Sequence, residues 1–318
     1  MNRRINLVSD TEKFLMELEA LDSKPLSEMT VEEAREFLLA LQRKYPQNIS
    51  AEISDRTVIC RNDAEVDIRI VRPENSENEK IPAIIYAHGG GWVMGDKEVY
   101  DTLIKKLAIM CHSAVIFVNY NRAPEFTYPG AIEEFCGVLE YVSKNYEEFN
   151  INPQKIVTAG DSAGGNIVIA STMKTLYENG AKIKAQILLY PVTSAIMDTK
   201  SYDEFKNGPW LTKKSMEYFW DFYIPDKKTR KEVYASPLNA DISEIKNFPP
   251  TLIITAENDV LRDEGEEFAL KLDHAGVCVG NIRINGTIHD FMMLNALSDS
   301  ASTNAAFASI SGFLKINL

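Results

Sequence analysis

Short apolar runs alternate with longer stretches of helical periodicity through most of the chain. The runs are typical of strands buried on both faces of a parallel sheet. They are Ala83–Ala87, Ala114–Val118, Ile156–Ala159, Ala185–Leu189, Thr251–Thr255 and Cys278–Ile284. The helical stretches are Tyr100–Cys111, Ile132–Val142, Gly165–Tyr177, Gly265–Ala275 and Ala301–Leu314. This alternation predicts an α/β fold, with a mostly parallel central sheet that helices cover on both faces.

The amino-terminal part of the chain departs from this alternation. Residues 9–44 have the pattern of two amphipathic helices, and Thr30 with Glu33 forms a capping-box pattern at the start of the second. Residues 55–73 contain two alternating runs, which predict an antiparallel strand pair at a sheet edge. Amphipathic helices need a surface to cover, and the residues alone favour plain packing over a lid.

A second departure is the segment from Ser194 to Ser236, which separates two core strands. It is helix-like and too long for a simple connection. It also follows a strand whose carboxyl end is expected at the active edge of the sheet. Aromatic side chains at helical spacing usually pack in a core, but these are also candidates for a substrate pocket. The candidates are Trp210, Phe219, Trp220 and Phe222, together with Trp92 from an earlier loop.

Composition narrows the class of protein without identifying it. The chain has 318 residues, of which 45% are hydrophobic and 25% charged, as in ordinary soluble proteins. Its net charge of −12 argues against a nucleic-acid partner and against electrostatic docking on anionic membranes. No apolar run approaches the roughly 18 residues of a membrane span, and the first residues lack the apolar core of a secretory leader.

The four cysteines are scattered along the chain, with no CxxC motif and no Cys/His cluster. Neither a disulfide framework nor a zinc site is expected from this spacing. Free thiols and a cytoplasmic location follow as the expectation.

Ser162 lies at the centre of a Gly-X-Ser-X-Gly pattern, Gly160 to Gly164, between a predicted strand and a predicted helix. A serine on such a sharp turn has a strained backbone and projects its hydroxyl from the sheet edge, and the glycines leave room for the turn. The amino terminus of the following helix directs backbone N–H groups at the place where negative charge would develop. Taken alone, the pattern also fits a serine that merely caps a helix.

A nucleophilic serine needs a base, and the chain has only four histidines. His112 and His274 fall at predicted helix ends, whereas His88 and His289 follow strands at the edge where Ser162 is expected. Three glycines, residues 89–91, come directly after His88, and they are best explained by backbone N–H groups that approach a ligand. The glycine run is therefore the candidate oxyanion site, and His289 is left as the candidate base.

The orienting acid is expected between Ser162 and His289 in the chain, at the end of another strand. Four carboxylates follow the run at 251–255: Glu257, Asp259, Asp263 and Glu264. The last two are placed to begin a helix, and the first is close to the strand itself. Asp259 is the best placed of the four, and it gives the order serine, aspartate, histidine that this kind of sheet requires.

With these residues in place, the sequence resembles the hormone-sensitive-lipase-like branch of the α/β-hydrolase family. That branch includes bacterial acetyl esterases and carboxylesterases. The resemblance covers most of residues 55–318 and rests on motifs that occur in the family's order. They are HGGGW (88–92), NYNRAPEFTYPGAIEE (119–134), GDSAGGN (160–166), ENDVLRDEGE (257–266) and IHDF (288–291).

The resemblance implies a role for each candidate. Ser162 would be the nucleophile, Asp259 the acid and His289 the base. The oxyanion hole would be formed by three backbone N–H groups, those of Gly89, Gly90 and Ala163.

The resemblance also implies a helical cap, built from residues 1–50 and an insertion at about 194–236, on a catalytic domain of residues 51–318. This implication reverses the preference for plain packing of the amino-terminal helices. Three stretches depart from the family pattern. Val260, and Asn121 with Arg122, are loop changes that should be tolerated. Asp290 stands where many members have glycine, and its carboxylate either raises the pKa of the base or faces solvent.

The predicted function is hydrolysis of small or short-chain acyl esters through an acyl-enzyme, with a small-molecule ester as partner and neither metal nor organic cofactor. A compact aromatic cap favours small soluble substrates over emulsified lipid. The alternatives are an amidase or arylformamidase on the same triad, and a non-catalytic ligand-binding member of the fold. His289 argues against the latter, because such members lose the histidine. The sequence leaves a homodimer open.

Overall fold

The computed structural model describes residues 5–318, apart from the side chain of Asn62. Within that range, eight strands form one sheet in the order β1-β2-β4-β3-β5-β6-β7-β8. The strands are β1 Glu52–Ile59, β2 Glu65–Arg72, β3 Ile81–Ala87, β4 Ala114–Val118, β5 Ile151–Asp161, β6 Ala185–Leu189, β7 Thr251–Asn258 and β8 Val279–Ile288. Strand β2 is antiparallel to β1 and β4, and all other neighbours are parallel. The predicted parallel sheet with an antiparallel pair at one edge is confirmed.

Ten α-helices lie in the same range. They are α1 Ser9–Glu19, α2 Val31–Lys44, α3 Asp101–Cys111, α4 Gly130–Lys144, α5 Ala163–Tyr177, α6 Lys200–Glu204, α7 Lys213–Tyr223, α8 Ile242–Ile245, α9 Arg262–His274 and α10 Ala301–Asn317. Short 3₁₀ turns occur at Leu26–Glu28, Arg61–Asp63, Tyr146–Phe149, Thr229–Lys231, Pro237–Asn239 and Asn295–Leu297. Every helix predicted from periodicity is present.

The helices cover both faces of the sheet because the crossovers are right-handed. The connection β3–α3–β4 crosses the sheet in one direction, and the later connections cross it in the other. Helix α3 therefore lies on one face, whereas α4, α5 and α9 lie on the opposite face. Helix α10 packs against α3, and α4 packs against α5. All five residues of β4 and of β6 are buried between these layers.

Helix α2 begins and is anchored through specific hydrogen bonds. Thr30 accepts from the Glu33 backbone N–H, and the Glu33 carboxylate accepts from the Thr30 N–H, which forms the predicted capping box. Further along the helix, the buried Gln42 amide donates to the carbonyl oxygens of Val99 and Met293 at 2.7 and 2.8 Å. Helix α2 is thereby fastened to the loops that follow β3 and β8.

The insertion between β6 and β7 is held at its base. The Asn166 amide donates to the carbonyl oxygens of Val192 and Ala235 at 3.2 and 2.9 Å. The buried Glu264 carboxylate accepts from the backbone N–H groups of Thr193 and Ser194 at 2.6 and 3.1 Å. Burial raises the pKa of Glu264 to about 8.

Candidate active site

Ser162 occupies the turn between β5 and α5 with φ 52° and ψ −121°. A non-glycine residue rarely adopts such a conformation, and it persists where the surrounding structure imposes it. Gly164 shows why the turn needs glycine, since a Cβ there would lie 2.1 Å from the Ala87 carbonyl oxygen. Strand and helix approach so closely that Ser162 is held at the carboxyl edge of the sheet, as the motif predicts.

His289 and Asp259 reach the serine from the ends of β8 and β7. The Ser162 Oγ lies 2.8 Å from His289 Nε2, and His289 Nδ1 lies 2.7 Å from Asp259 Oδ2. The other carboxylate oxygen of Asp259 accepts from the Leu261 backbone N–H at 3.0 Å. The three side chains expected to carry the chemistry are thus brought together in one chain of hydrogen bonds.

The electrostatic setting favours a charged imidazole. Burial lowers the pKa of His289, but Asp259 and Asp290 outweigh it, and the net effect raises that pKa to about 9. Only 2% of the His289 side chain is exposed, so the two carboxylates act with little solvent screening.

The loop after β3 carries the glycine run, and a buried carboxylate holds it. Asp161, the residue before Ser162, accepts three hydrogen bonds from side chains and backbone of β3 and its surroundings. The donors are the Tyr86 hydroxyl at 2.8 Å, the Tyr100 hydroxyl at 2.8 Å and the Gly89 N–H at 2.9 Å. Burial, with a smaller contribution from Asp290, raises the pKa of Asp161 to about 7. Asp161 therefore fixes the glycine loop against the nucleophile turn.

The expectation that Gly89 supplies an oxyanion donor is wrong on this geometry, because its N–H is already donated to Asp161. Gly90 and Gly91 line the cavity beside Ser162, and Gly89 does not. Among the described residues, no backbone carbonyl accepts from the N–H groups of Gly90, Gly91 or Ala163. A Cβ on Gly91 would meet the Phe219 ring at 2.3 Å, so glycine also allows α7 to pack on this loop.

The other three histidines have structural surroundings. His88 is fully buried, stacks on Tyr120 with ring centroids 4.1 Å apart, and has its pKa lowered by burial to about 3. His112 ends α3 and lies 2.8 Å from a carboxylate oxygen of Glu79. His274 is the last residue of α9. The elimination of these three as the base agrees with where the structure places them.

A cavity of about 610 Å³ opens beside Ser162 and His289. Helices α1 and α2 contribute Leu15, Leu18, Phe37 and Leu38 to its wall. The insertion contributes Trp210, Leu211, Met216 and Phe219. Both segments outside the sheet therefore line the cavity at Ser162, which plain packing elsewhere on the domain would not do.

Two of the five aromatic pocket candidates, Trp210 and Phe219, line this cavity, and the other three do not. Trp92 is 1% exposed and stacks on Tyr223 with ring centroids 4.4 Å apart. Trp220 is fully buried against Trp92, and Phe222 packs on Tyr218. Trp92 and Trp220 fill the core beneath the insertion, whereas Phe222 is half-buried at the edge of that core.

Comparisons with known proteins agree with this geometry. Residues 84–293 match a protein family whose description is the α/β-hydrolase fold. The chain belongs to the α/β-hydrolase family. A protein of Acanthamoeba polyphaga mimivirus that is named as an α/β hydrolase is 41% identical over 282 residues. The match covers 89% of this chain and 80% of the relative. An ethyl acetate hydrolase of Pseudomonas putida is 31% identical over 252 residues, 78% of each chain.

A solved esterase structure is similar to this chain over almost its whole length. The crystal structure of a thermostable esterase from Pseudomonas putida ECU1011 has a TM-score of 0.96 at 36% identity, and the match covers 99% of both chains. The resemblance to the hormone-sensitive-lipase-like branch, which includes carboxylesterases, is confirmed.

Two residues of this α/β hydrolase were missed or left without a role by sequence reasoning. Gly91 lies in the glycine run, but no sequence signal separates it from Gly89. Asp161 follows a strand in a known motif, yet its three donors come from residues far away in the chain. Asp290, whose setting the sequence left open, is mostly buried beside His289, with 16% of its side chain exposed, and it accepts from the Trp210 indole.

No cluster of three or more His, Cys, Asp or Glu side chains in the described range could hold a metal ion. Residues 5–318 also contain no helix with the length and apolar character needed to cross a bilayer.

Proposed function

We propose that this protein, a carboxylic ester hydrolase, cleaves small, short-chain acyl esters with Ser162 as the nucleophile. The observation that carries the proposal is the hydrogen-bonded series from Ser162 Oγ through His289 to Asp259, at 2.8 and 2.7 Å. A base within hydrogen-bonding distance of a hydroxyl, itself oriented by a carboxylate, is what nucleophilic acyl transfer requires.

The reaction follows from this arrangement in two half-reactions. His289 Nε2 takes the proton as Ser162 Oγ attacks the ester carbonyl, and Asp259 stabilises the imidazolium that forms. The backbone N–H groups of Gly90, Gly91 and Ala163 stabilise the tetrahedral oxyanion. His289 then gives its proton to the leaving alcohol, and water repeats the sequence on the acyl-enzyme.

The cavity supports a small apolar acyl group. Its volume of about 610 Å³ is in the range of small-molecule sites, and leucine, methionine and aromatic residues supply 11 of its 24 lining residues. The glycine loop bears directly on Phe219, so the space next to the oxyanion donors is closed by a buried ring. The relative named as an ethyl acetate hydrolase supports the same substrate class.

Hydrolysis of p-nitrophenyl esters from acetyl to decanoyl tests both parts of the proposal. Ser162→Ala should abolish hydrolysis of the acetyl ester while circular dichroism and Tm show a folded protein, and a fluorophosphonate probe should label only the wild type. Near-normal activity of Ser162→Ala would remove this serine from the mechanism. A preference for the decanoyl ester would contradict the short-chain assignment.

We also propose a cytoplasmic location. The four cysteines, Cys60, Cys111, Cys136 and Cys278, are all free thiols, as is usual for proteins of a reducing compartment. Cell fractionation with an antibody to the protein tests this placement.

A further inference from the structure

Asp290 places a second carboxylate beside the catalytic base. Its Oδ1 lies 3.3 Å from His289 Nε2, the same nitrogen that faces Ser162 Oγ. Its Oδ2 accepts from Trp210 Nε1 at 2.8 Å, which ties the side chain to the insertion. The carboxylate therefore has a fixed orientation, with one oxygen held by the indole and the other directed to the reacting atoms.

The oxygen directed to the reacting atoms accepts no hydrogen bond among the described residues. Asp290 Oδ1 is buried, and it makes an ion pair at 3.3 Å with His289 Nε2, the nitrogen that also faces Ser162 Oγ. Asp290 lines the cavity together with Ser162 and His289. Leaving a buried acceptor without a donor is costly, so a donor from a cavity occupant would be favoured there.

The backbone at Asp290 is also strained. Its φ of 64° lies in the left-handed region, where glycine is free of strain and other residues are not. Strain retained next to reacting groups is a mark of function. The structure thus keeps a carboxylate at a position where its removal to glycine would relax the backbone.

We propose that Asp290 is a specificity-determining residue, which selects esters whose alcohol part carries a hydroxyl group on its second carbon, counted from the ester oxygen. The proposal rests on the esterase function and deepens it.

The reaction chemistry determines that the alcohol part of the ester, not the acyl part, lies near Asp290. The acyl carbonyl oxygen must face the backbone N–H groups of the glycine loop, whereas the leaving oxygen must receive its proton from His289 Nε2. A leaving oxygen about 3 Å from Nε2 lies within about 6 Å of Asp290 Oδ1. A hydroxyl on the second carbon of the alcohol spans part of this gap, and a hydrogen bond of about 2.8 Å spans the rest.

The test compares two isosteric esters, 2-hydroxyethyl acetate and propyl acetate, which differ only by a hydroxyl in place of a methyl group. A hydrogen bond to a charged acceptor predicts that wild-type kcat/KM favours the hydroxyethyl ester by about tenfold. Both esters use the same triad, so any change in His289 cancels in this ratio. Hydrolysis of propyl acetate independently establishes the esterase function.

Asp290→Gly should bring the ratio close to one, because it removes the acceptor and suits the left-handed backbone. Trp210→Phe, which releases Oδ2, should lower the ratio by a smaller factor. A wild-type ratio near or below one would overturn the proposal. So would a ratio that stays high in Asp290→Gly, since the carboxylate would then affect only the base. Asp290→Ala, which also removes the acceptor, gives the same comparison if the glycine variant does not fold.

Discussion

Asp161→Asn should slow turnover and leave substrate binding largely intact. In the wild type, Asp161 Oδ1 accepts from both the Gly89 N–H and the Tyr86 hydroxyl, and Oδ2 accepts from the Tyr100 hydroxyl. Asparagine keeps one carbonyl oxygen for Gly89, and its amide group then faces Tyr100, whose hydroxyl can rotate to accept. The glycine loop stays attached, but by a hydrogen bond to a neutral acceptor.

The magnitude follows from the change of acceptor. Hydrogen bonds to charged groups are stronger than neutral ones by about 1 kcal/mol, which corresponds to roughly fivefold in kcat if the whole difference appears in the transition state. Complete loss of an oxyanion donor, about 100-fold or more, is the upper limit. Alanine is a poorer choice, because three buried donors would lose their acceptor and stability would fall with activity.

The pH dependence makes the test sharper. Because the pKa of Asp161 is raised to about 7, the wild-type side chain is mostly protonated at pH 6 and then resembles asparagine. On p-nitrophenyl acetate, the ratio of wild-type kcat to variant kcat should be close to one at pH 6 and largest near pH 8.5. Tyr100→Phe is the matched control, since it disturbs the other oxygen and leaves the Gly89 bond in place. Equal kcat values at pH 8.5, or a loss confined to KM, would refute the reasoning.

Three further substitutions have defined outcomes. Gly91→Ala should lower kcat at least tenfold, because its Cβ would meet Phe219 at 2.3 Å and displace an oxyanion donor; unchanged steady-state kinetics would exclude Gly91 from the oxyanion hole. Asp290→Asn should move the acidic limb of the kcat/KM profile to lower pH, because Asp290 acts with Asp259 and Asp161 to raise the pKa of His289; blank-corrected rates on p-nitrophenyl acetate from pH 6 to 9.5 measure the limb, and an unmoved midpoint contradicts the expectation. Glu264→Gln should gain Tm relative to the wild type between pH 5 and 8.5. Since the folded pKa of Glu264 is about 8 and its ordinary value is 4.5, the folded wild type keeps a proton that the unfolded chain loses, and its stability falls as pH rises through that window. A Tm difference that is constant with pH would contradict this.

Periodicity was sufficient for the fold because most strands are apolar throughout and most helices are amphipathic. Strand β4 and strand β6 begin and end where the apolar runs do. Strand β5 begins at Ile151, earlier than the apolar run that predicted it. Ile151 pairs with β3, the register then shifts, and a polar stretch containing Pro153 continues the extended backbone to the apolar run. Local hydrophobicity does not predict such a stretch, because its extended conformation depends on pairing with neighbouring strands.

The sequence placed the aromatic pocket candidates less accurately than the three side chains that meet at Ser162, for a physical reason. Trp92, Trp220 and Phe219 all lie at or near the insertion, and hydrophobicity is the same signal for a core ring and a pocket ring. Only the rotation of α7 about its axis places Phe219 against the cavity and Trp220 in the core. A one-residue difference along a helix turns a side chain by about a quarter of a turn, so sequence spacing could not assign the two faces without knowing where the helix packs.

The wrong expectation that Gly89 is an oxyanion donor also arose because sequence spacing does not show which way a group faces. Asp161 is the last residue of β5 and is buried among Tyr86, Tyr100 and the glycine loop, whereas Ser162 lies in the turn that follows and faces the cavity. The Gly89 N–H cannot donate both to that carboxylate and to an oxyanion. By taking this donor, Asp161 fixes the loop whose next two N–H groups remain free, and Ala163 supplies a third from the same turn. The loop anchor Asp161, the proposed nucleophile Ser162 and the proposed oxyanion donor Ala163 are therefore consecutive residues. One short turn sets their relative positions before any substrate binds, which is the preorganisation that electrostatic stabilisation of an oxyanion requires.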